Sequence, residues 1–258
     1  MNIKRETKDN ILEVTLNRPE RLNALDWDML AELRKLTLDI TTDIAQGQAP
    51  RLVVLRSSSE KAFVAGADIK CFASDLARAQ EFAAFGQEVI SDFADIPVPK
   101  IAVIHGYALG GGLELALACD LIATTTQSIF GFPETGLGLV PGFGGTLRAA
   151  LRIGTAGARR MIITGDKLTG DQALLLGLVD YCAPLDEFQS VLNTVIQQVI
   201  SVSPLAVRSA LILLNELERE VGIQALKREK DCFASLLASD EGKEGVRAFV
   251  EKRPPLFG

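Results

Sequence analysis

Apolar and polar positions change period repeatedly along the chain. Residues 3–17, IKRETKDNILEVTLN, read as two strands about a Lys8-Asp9-Asn10 turn, with Ile11, Leu12, Val14 and Leu16 carrying the apolar positions of the second. Over DWDMLAELRKLTLDITTDIAQG the spacing of Trp27, Leu30, Leu33 and Leu36–Leu38 becomes helical, with Asp26 as N-cap and Gly47 as the stop. RLVVLR (51–56) predicts a buried strand, AQEFAAFGQEVISDFADI a second helix, and KIAVIH (100–105) a third buried strand. Strands alternating with helices favour an α/β fold with largely parallel sheets.

The texture changes in the last third of the chain. TGDQALLLG (169–177) carries a Thr169/Gln172 capping box and a Gly177 terminator. SVSPLAVRSALILLNELEREVG starts a helix with Ser203 as N-cap and Pro204 at the first helical position. Further helical runs are expected near 223–238 and 241–251. The organisation predicted is an α/β core over residues 1–190 and a helical region over 191–258.

Composition narrows the function classes. In 258 residues, 48% are apolar and 23% charged, and the formal net charge is −6. That balance lacks the basic face of a nucleic-acid binder, although a local basic pocket for an anionic ligand remains compatible with it. Cys71, Cys119, Cys182 and Cys232 lie far apart with no CxxC or zinc spacing, so they are expected to be reduced, mostly buried thiols. The start, MNIKRETKDN, has no signal-peptide or transit pattern, and the longest apolar stretch is interrupted by His105 and Glu114. The expectation is a cytoplasmic, soluble protein with no membrane or nucleic-acid partner.

Candidate chemistry centres on two acids. In HGYALGGGLELALACD (105–120), Glu114 follows three glycines and has no basic neighbour at helical spacing. A buried, unpaired carboxylate is unfavourable by several kcal/mol unless its pKa rises, and the helix dipole offsets part of that. One reading is a glutamate capping its own helix end; the other is a catalytic acid. IFGFPETGLGLVPGFGGTLR (129–148) has Glu134 as its only acid, on a tight-turning, glycine-rich backbone. Two such acids are the pattern of a general acid/base pair, and mutual repulsion would hold one protonated near neutrality. In KAFVAGADIK (61–70), Gly66 either exposes a backbone N–H, with that of Ala67 the candidate, to a ligand or makes a strand-to-helix turn capped by Asp68. GLGLVPG does not join a buried strand to a helix, no phosphate-binding or nucleophile-elbow motif occurs, and the single histidine, His105, reads as structural.

The motifs NRPERLNAL (17–25), KAFVAGADIK, GYALGGGLELALACD, FGFPETGLGLVPGFGGTLR, GLVD (177–180) and EGKEGVRAFVEKR occur in the order and spacing of the crotonase family, and the chain most resembles its enoyl-CoA hydratases. The resemblance spans almost the whole chain. It implies a spiral of ββα turns, a C-terminal helical trimerisation region and a homotrimer or dimer of trimers. It further implies an acyl-CoA substrate, with CoA part of that substrate and neither a separate cofactor nor a metal. The family's oxyanion hole falls on the backbone N–H groups of Ala67 and Gly111, and its catalytic glutamates on Glu114 and Glu134. Its CoA contacts fall on Leu22, Ala24, Ala62, Phe63, Ala65, Asp68 and Ile69, with Phe233 and Lys252 reaching the CoA of a neighbouring subunit.

Several positions depart from the commonest family pattern. Phe132, Leu147, Leu113 and Cys71 stand where other residues are usual, and Phe132 and Leu113 are expected to narrow the acyl pocket. Residues 71–86 are expected to wall it. The nearest rival activity is that of an enoyl-CoA isomerase or another enolate-forming acyl-CoA enzyme. A non-catalytic scaffold, or an RNA binder, is the alternative from a different class.

Overall fold

The computed structural model describes residues 1–71 and 76–257. β1 (Ile3–Lys8) and β2 (Ile11–Leu16) form an antiparallel hairpin. Asp9 and Asn10 between them take φ of 51° and 61°, the paired positive values that match a hairpin's twist. α1 (Trp27–Ala45) follows, and Asp26 caps it by accepting the Met29 amide at 2.9 Å. Its apolar stripe, Met29, Leu30, Leu33, Leu36 and Ile40, is buried in the core.

The chain then repeats one unit. β3 (Leu52–Ser57) and β4 (Ala62–Val64) precede α2 (Leu76–Ala94); β5 (Lys100–Ile104) and β6 (Tyr107–Leu109) precede α3 (Gly111–Leu117). β7 (Leu121–Thr125) and β8 (Ile129–Gly131) precede α4 (Gly145–Thr164), and β9 (Leu168–Thr169) is joined by α5 (Gly170–Leu176) to β10 (Tyr181–Ala183). β3, β5 and β7, the first strands of the three repeated pairs, lie in a sheet ordered β1-β2-β3-β5-β7-β10, and their second strands lie in a sheet ordered β4-β6-β8-β9; β9 and β10 divide the other way round. All neighbours are parallel except β1/β2 and β8/β9. This is the spiral of ββα turns that the family resemblance implies.

The six-stranded sheet is covered on both faces, as its near-continuous apolar strands require. Val53, Leu55, Ala102 and Ile104 face the main core, whereas the alternating Leu52, Val54, Ile101 and Val103 meet Phe188, Leu192 and Val195. Those three belong to α6 (Leu185–Ser201), so residue 190 lies inside a helix that closes the core. The helical region begins at Ser203, which accepts the Ala206 amide at 3.3 Å, with Pro204 at the first helical position.

α7 (Pro204–Ala238) is one helix of 35 residues, not two runs divided near 223. Gly222 does not end it. A Cβ there would stand 2.7 Å from Leu147 Cδ2, so the glycine lets α7 approach α4 closely. α8 (Asp240–Glu251) follows, capped by Ser239. The four cysteines are unpaired, but only Cys119 is fully buried and Cys232 is exposed. The thiols are thus less buried than their apolar neighbours in sequence imply. His105 packs edge-on to Phe188 at 5.0 Å, and burial lowers its pKa, in line with a structural role. Among the described residues, no single helix is long and apolar enough to cross a membrane.

Candidate active site

The three glycines before Glu114 are each required by a different neighbour. Gly110 takes φ 49°, and a Cβ there would lie 2.5 Å from Glu134 Oε1. A Cβ on Gly111 would meet the Phe143 ring at 3.1 Å, and one on Gly112 the Val64 carbonyl at 2.2 Å. The triplet therefore lets α3 begin against β4 while admitting Glu134 and Phe143 to the same small space. Glu114, in the first turn of α3, is 2% exposed. Its Oε1 accepts the amides of Phe143 and Gly145, both at 2.7 Å. Capping of its own helix end does not describe it, because the amides it binds belong to the approach to α4.

Glu134 sits on a 3₁₀ turn, Pro133–Leu137, that enters from β8. Its Oε2 is buried with no hydrogen-bond partner among the described residues. Burial, the like charge of Glu229 adding, pushes its pKa up to about 8, so it is largely protonated at neutral pH. Burial also raises Glu114 well above the usual carboxylate range; the charges of Glu229 and Glu134 add to this, and the two amide bonds oppose it. The two acids that sequence singled out do share one site.

Both carboxyls line a cavity of about 110 Å³, together with Ala65, Ala67, Ile69, Gly110 and Gly111. Ala67 is positioned by a strand-like bridge: Leu25 donates to Gly66 O at 2.9 Å and accepts from Asp68 N at 2.7 Å. This pairing uses the groups on either side and leaves the Ala67 N–H outside it. The Gly111 N–H is the first of α3, where no intrahelical acceptor exists. Gly66, at φ 119°, makes the intervening turn. Asp68 is a turn former as well, accepting the Lys70 amide at 3.3 Å and pairing with Arg18 at 3.8 Å. Asp68 thus fits the turn reading of the Gly66 segment.

The remaining expected contacts divide. Leu22 and Ala24 are partly exposed on the loop before α1, where Leu22 O accepts the Ala65 amide at 3.1 Å. Ala62 and Phe63 have no exposed surface, and Phe63 is part of the core, so neither offers CoA a contact here. Phe233 lines this chain's own cavity, packed against Gly142. Lys252 is an exposed, left-handed C-cap of α8 away from the cavity wall. Phe132 and Leu113 are fully buried behind the site and do not line it. The walls are instead Phe82, Phe143, Phe233 and Phe249 with Leu137 and Leu139. Of the expected wall segment 71–86, residues 72–75 lie outside the described residues.

Sequence reasoning missed a third acid. Glu229 of α7 is 5% exposed and binds the amides of Gly144 and Thr146, at 2.6 and 2.8 Å. It stands in LKREKDCF, which reads as a solvated charge run. The available signal was the stripe Gly222, Leu226, Glu229, Phe233 and Leu237, whose i+3/i+4 spacing places Glu229 on the inward face. Arg148, also buried, donates to Phe143 O at 2.7 Å and Ser91 Oγ at 3.1 Å.

The sequence profile of the enoyl-CoA hydratase/isomerase family matches residues 6–258. A crotonyl-CoA hydratase of Syntrophomonas wolfei is 36% identical over 99% of this chain and 97% of its own. A short-chain-enoyl-CoA hydratase of Clostridium acetobutylicum is 33% identical over 98% and 95%. The crystal structure of an enoyl-CoA hydratase from Mycobacterium avium subsp. paratuberculosis superposes with a TM-score of 0.88 at 28% identity, covering 100% of this chain and 99% of that one. Profile, relatives and fold agree over the full length, and the chain belongs to the enoyl-CoA hydratase/isomerase family.

Proposed function

We propose that the protein is an enoyl-CoA hydratase, adding water across the 2,3 double bond of a trans-2-enoyl-CoA to give a 3-hydroxyacyl-CoA. The observation that carries this is the meeting of Glu114 and Glu134 in one cavity with Ala67 and Gly111. In a thioester bound there, the carbonyl oxygen would accept the Ala67 and Gly111 N–H groups. Negative charge grows on that oxygen as the enolate forms, and losing one such donor typically costs about 3–4 kcal/mol of barrier.

Burial pushes both carboxyls up, and the ionised form is assigned to Glu114 because its Oε1 accepts two amides while Glu134 Oε2 has no partner among the described residues. Glu114 removes a proton from water as the oxygen bonds to Cβ. Glu134, held neutral by burial, gives its proton to Cα. Passing the proton from Glu114 back to Glu134 restores the resting state. No separate cofactor is invoked, since CoA arrives and leaves with the acyl group. The small aromatic cavity favours a short acyl chain. The apolar outer residues of α7, Leu213, Leu217, Val221 and Ile223 among them, support association into a homotrimer or a dimer of trimers. A cytoplasmic setting is part of the same proposal.

The test compares two activities of one preparation: hydration of crotonyl-CoA, followed by loss of conjugated-enoyl absorbance, and shift of a 3-enoyl-CoA double bond. Faster hydration is expected. Faster isomerisation would make the protein an enoyl-CoA isomerase, for which a Mycosarcoma maydis relative, named an isomerase/hydratase and 37% identical, provides the precedent.

A further inference from the structure

Four successive amides at the approach to α4 divide between two carboxylates. Those of Phe143 and Gly145 go to Glu114, each at 2.7 Å, and those of Gly144 and Thr146 go to Glu229, at 2.6 and 2.8 Å. N–H groups entering a helix have no internal acceptors and attract anions, so the segment can hold both acids. Glu229 is also bound by the Thr146 hydroxyl and by Gln87 Nε2 of α2, the latter at 3.3 Å. Each of its oxygens accepts two donors. Glu229 is not on the cavity wall.

We propose that Glu229 is a positioning residue for the chemistry of Glu114. By binding Gly144 and Thr146 it fixes the amides that alternate with them, Phe143 and Gly145, on the Glu114 carboxylate. α7 thereby sets the orientation of the water-activating group from outside the cavity. This role presupposes the hydration chemistry above.

The charge of Glu229 acts in the same place. The titratable groups facing it are Glu114 on α3, Glu134 on its 3₁₀ turn and Arg148 on α4; Gln87 of α2 is neutral. Its like charge raises both Glu114 and Glu134, while Arg148 opposes its own rise. Removing that charge makes both catalytic acids ionise more easily. The base then works at lower pH and the acid loses its proton at lower pH.

Glu229→Gln keeps the shape but faces one oxygen's donors with an amide. Expected are a fall of about 10–100-fold in kcat for crotonyl-CoA with KM little changed, and a bell-shaped pH profile whose two limbs both move to lower pH. Hydrogen exchange of the substrate-free protein should quicken at Phe143 and Gly145 as well as at Gly144 and Thr146. An unchanged pH profile, or quickening confined to Gly144 and Thr146, would overturn the positioning role. Thr146→Val removes one donor and keeps the carboxylate. It should move the limbs the same way by less, and if Glu229→Gln does not fold, unmoved limbs in Thr146→Val overturn the proposal. Because exchange needs no turnover, quickened Phe143 and Gly145 in a protein that hydrates no enoyl-CoA would sink the hydratase assignment alone. Active hydration with unaltered exchange at these two amides would sink the positioning role alone.

Discussion

Phe143 binds Glu114 with its backbone and closes the cavity with its side chain. Its amide donates to Glu114 Oε1 at 2.7 Å, while its ring stacks over glycine on two sides. A Cβ on Gly86 would stand 2.3 Å from that ring and one on Gly111 3.1 Å. Phe82 lies 5.8 Å away, ring centre to ring centre. One residue therefore links the orientation of Glu114, the proposed base, to the size of the cavity proposed for the acyl chain.

Phe143→Leu leaves the amide in place and shortens the wall. The ratio of kcat/KM for trans-2-octenoyl-CoA over crotonyl-CoA should rise by about tenfold, the discrimination expected for modest changes in an apolar pocket. A ratio unchanged by the substitution would place the chain-length limit elsewhere.

Gly110→Ala should injure both fold and chemistry. The added Cβ falls 2.5 Å from Glu134 Oε1, at a position with φ 49°. At φ 49° and ψ −125°, a backbone region that side chains rarely adopt, alanine is unfavourable by about 1–3 kcal/mol, and a displaced acid loses on the order of 100-fold in rate. Thermal unfolding and crotonyl-CoA turnover would show both losses; normal turnover would mean that Glu134 does not need its present place.

Asn23 explains one motif residue that has no chemistry of its own. Fully buried at φ 54°, it accepts the Arg18 amide at 2.6 Å and donates to Ser57 Oγ at 2.6 Å and Phe63 O at 3.1 Å. It ties the loop that ends at Leu25 to β4, and Leu25 in turn holds Ala67. Asn23→Ala should lower unfolding free energy by about 2–4 kcal/mol, from partners left unsatisfied, as read by denaturant titration. A loss below about 1 kcal/mol would show that the loop holds without it.

Burial of Glu134 has a consequence for stability. The folded protein keeps the proton up to about pH 8, while an unfolded glutamate releases it near 4.5. Between those values the unfolded chain binds fewer protons, so stability falls as pH rises. The slope for this group is up to about 1.4 kcal/mol per pH unit. Glu134→Gln should flatten the dependence between pH 5 and 8 and be the more stable protein at pH 8. An equally steep variant would mean that Glu134 is not held protonated.

Elements whose period and caps agree were legible before folding. The Asp9-Asn10 hairpin, the Asp26 cap, the Thr169/Gln172 capping box and the Ser203-Pro204 start all express local chemistry. Glu114 and Glu134 were legible because acids isolated in glycine-rich, apolar surroundings have few other uses. Glu229 was not, because its sequence neighbours are charged and its burial arises only when α7 docks on the approach to α4. The break expected near 223 does not occur, because Gly222 lies inside α7 and admits the Leu147 side chain. The narrowing residues were misplaced by one step: Phe132 packs behind Gly145, and Phe143 faces the cavity.

The central claim is that two buried glutamates share the hydration. Its most direct measurement is crotonyl-CoA hydration by the wild type, Glu114→Gln and Glu134→Gln, with butyryl-CoA binding measured on each protein. Fast wild-type turnover, losses of about 10²–10⁴-fold in both variants and retained butyryl-CoA binding are predicted. Either variant turning over at the wild-type rate would contradict the assignment.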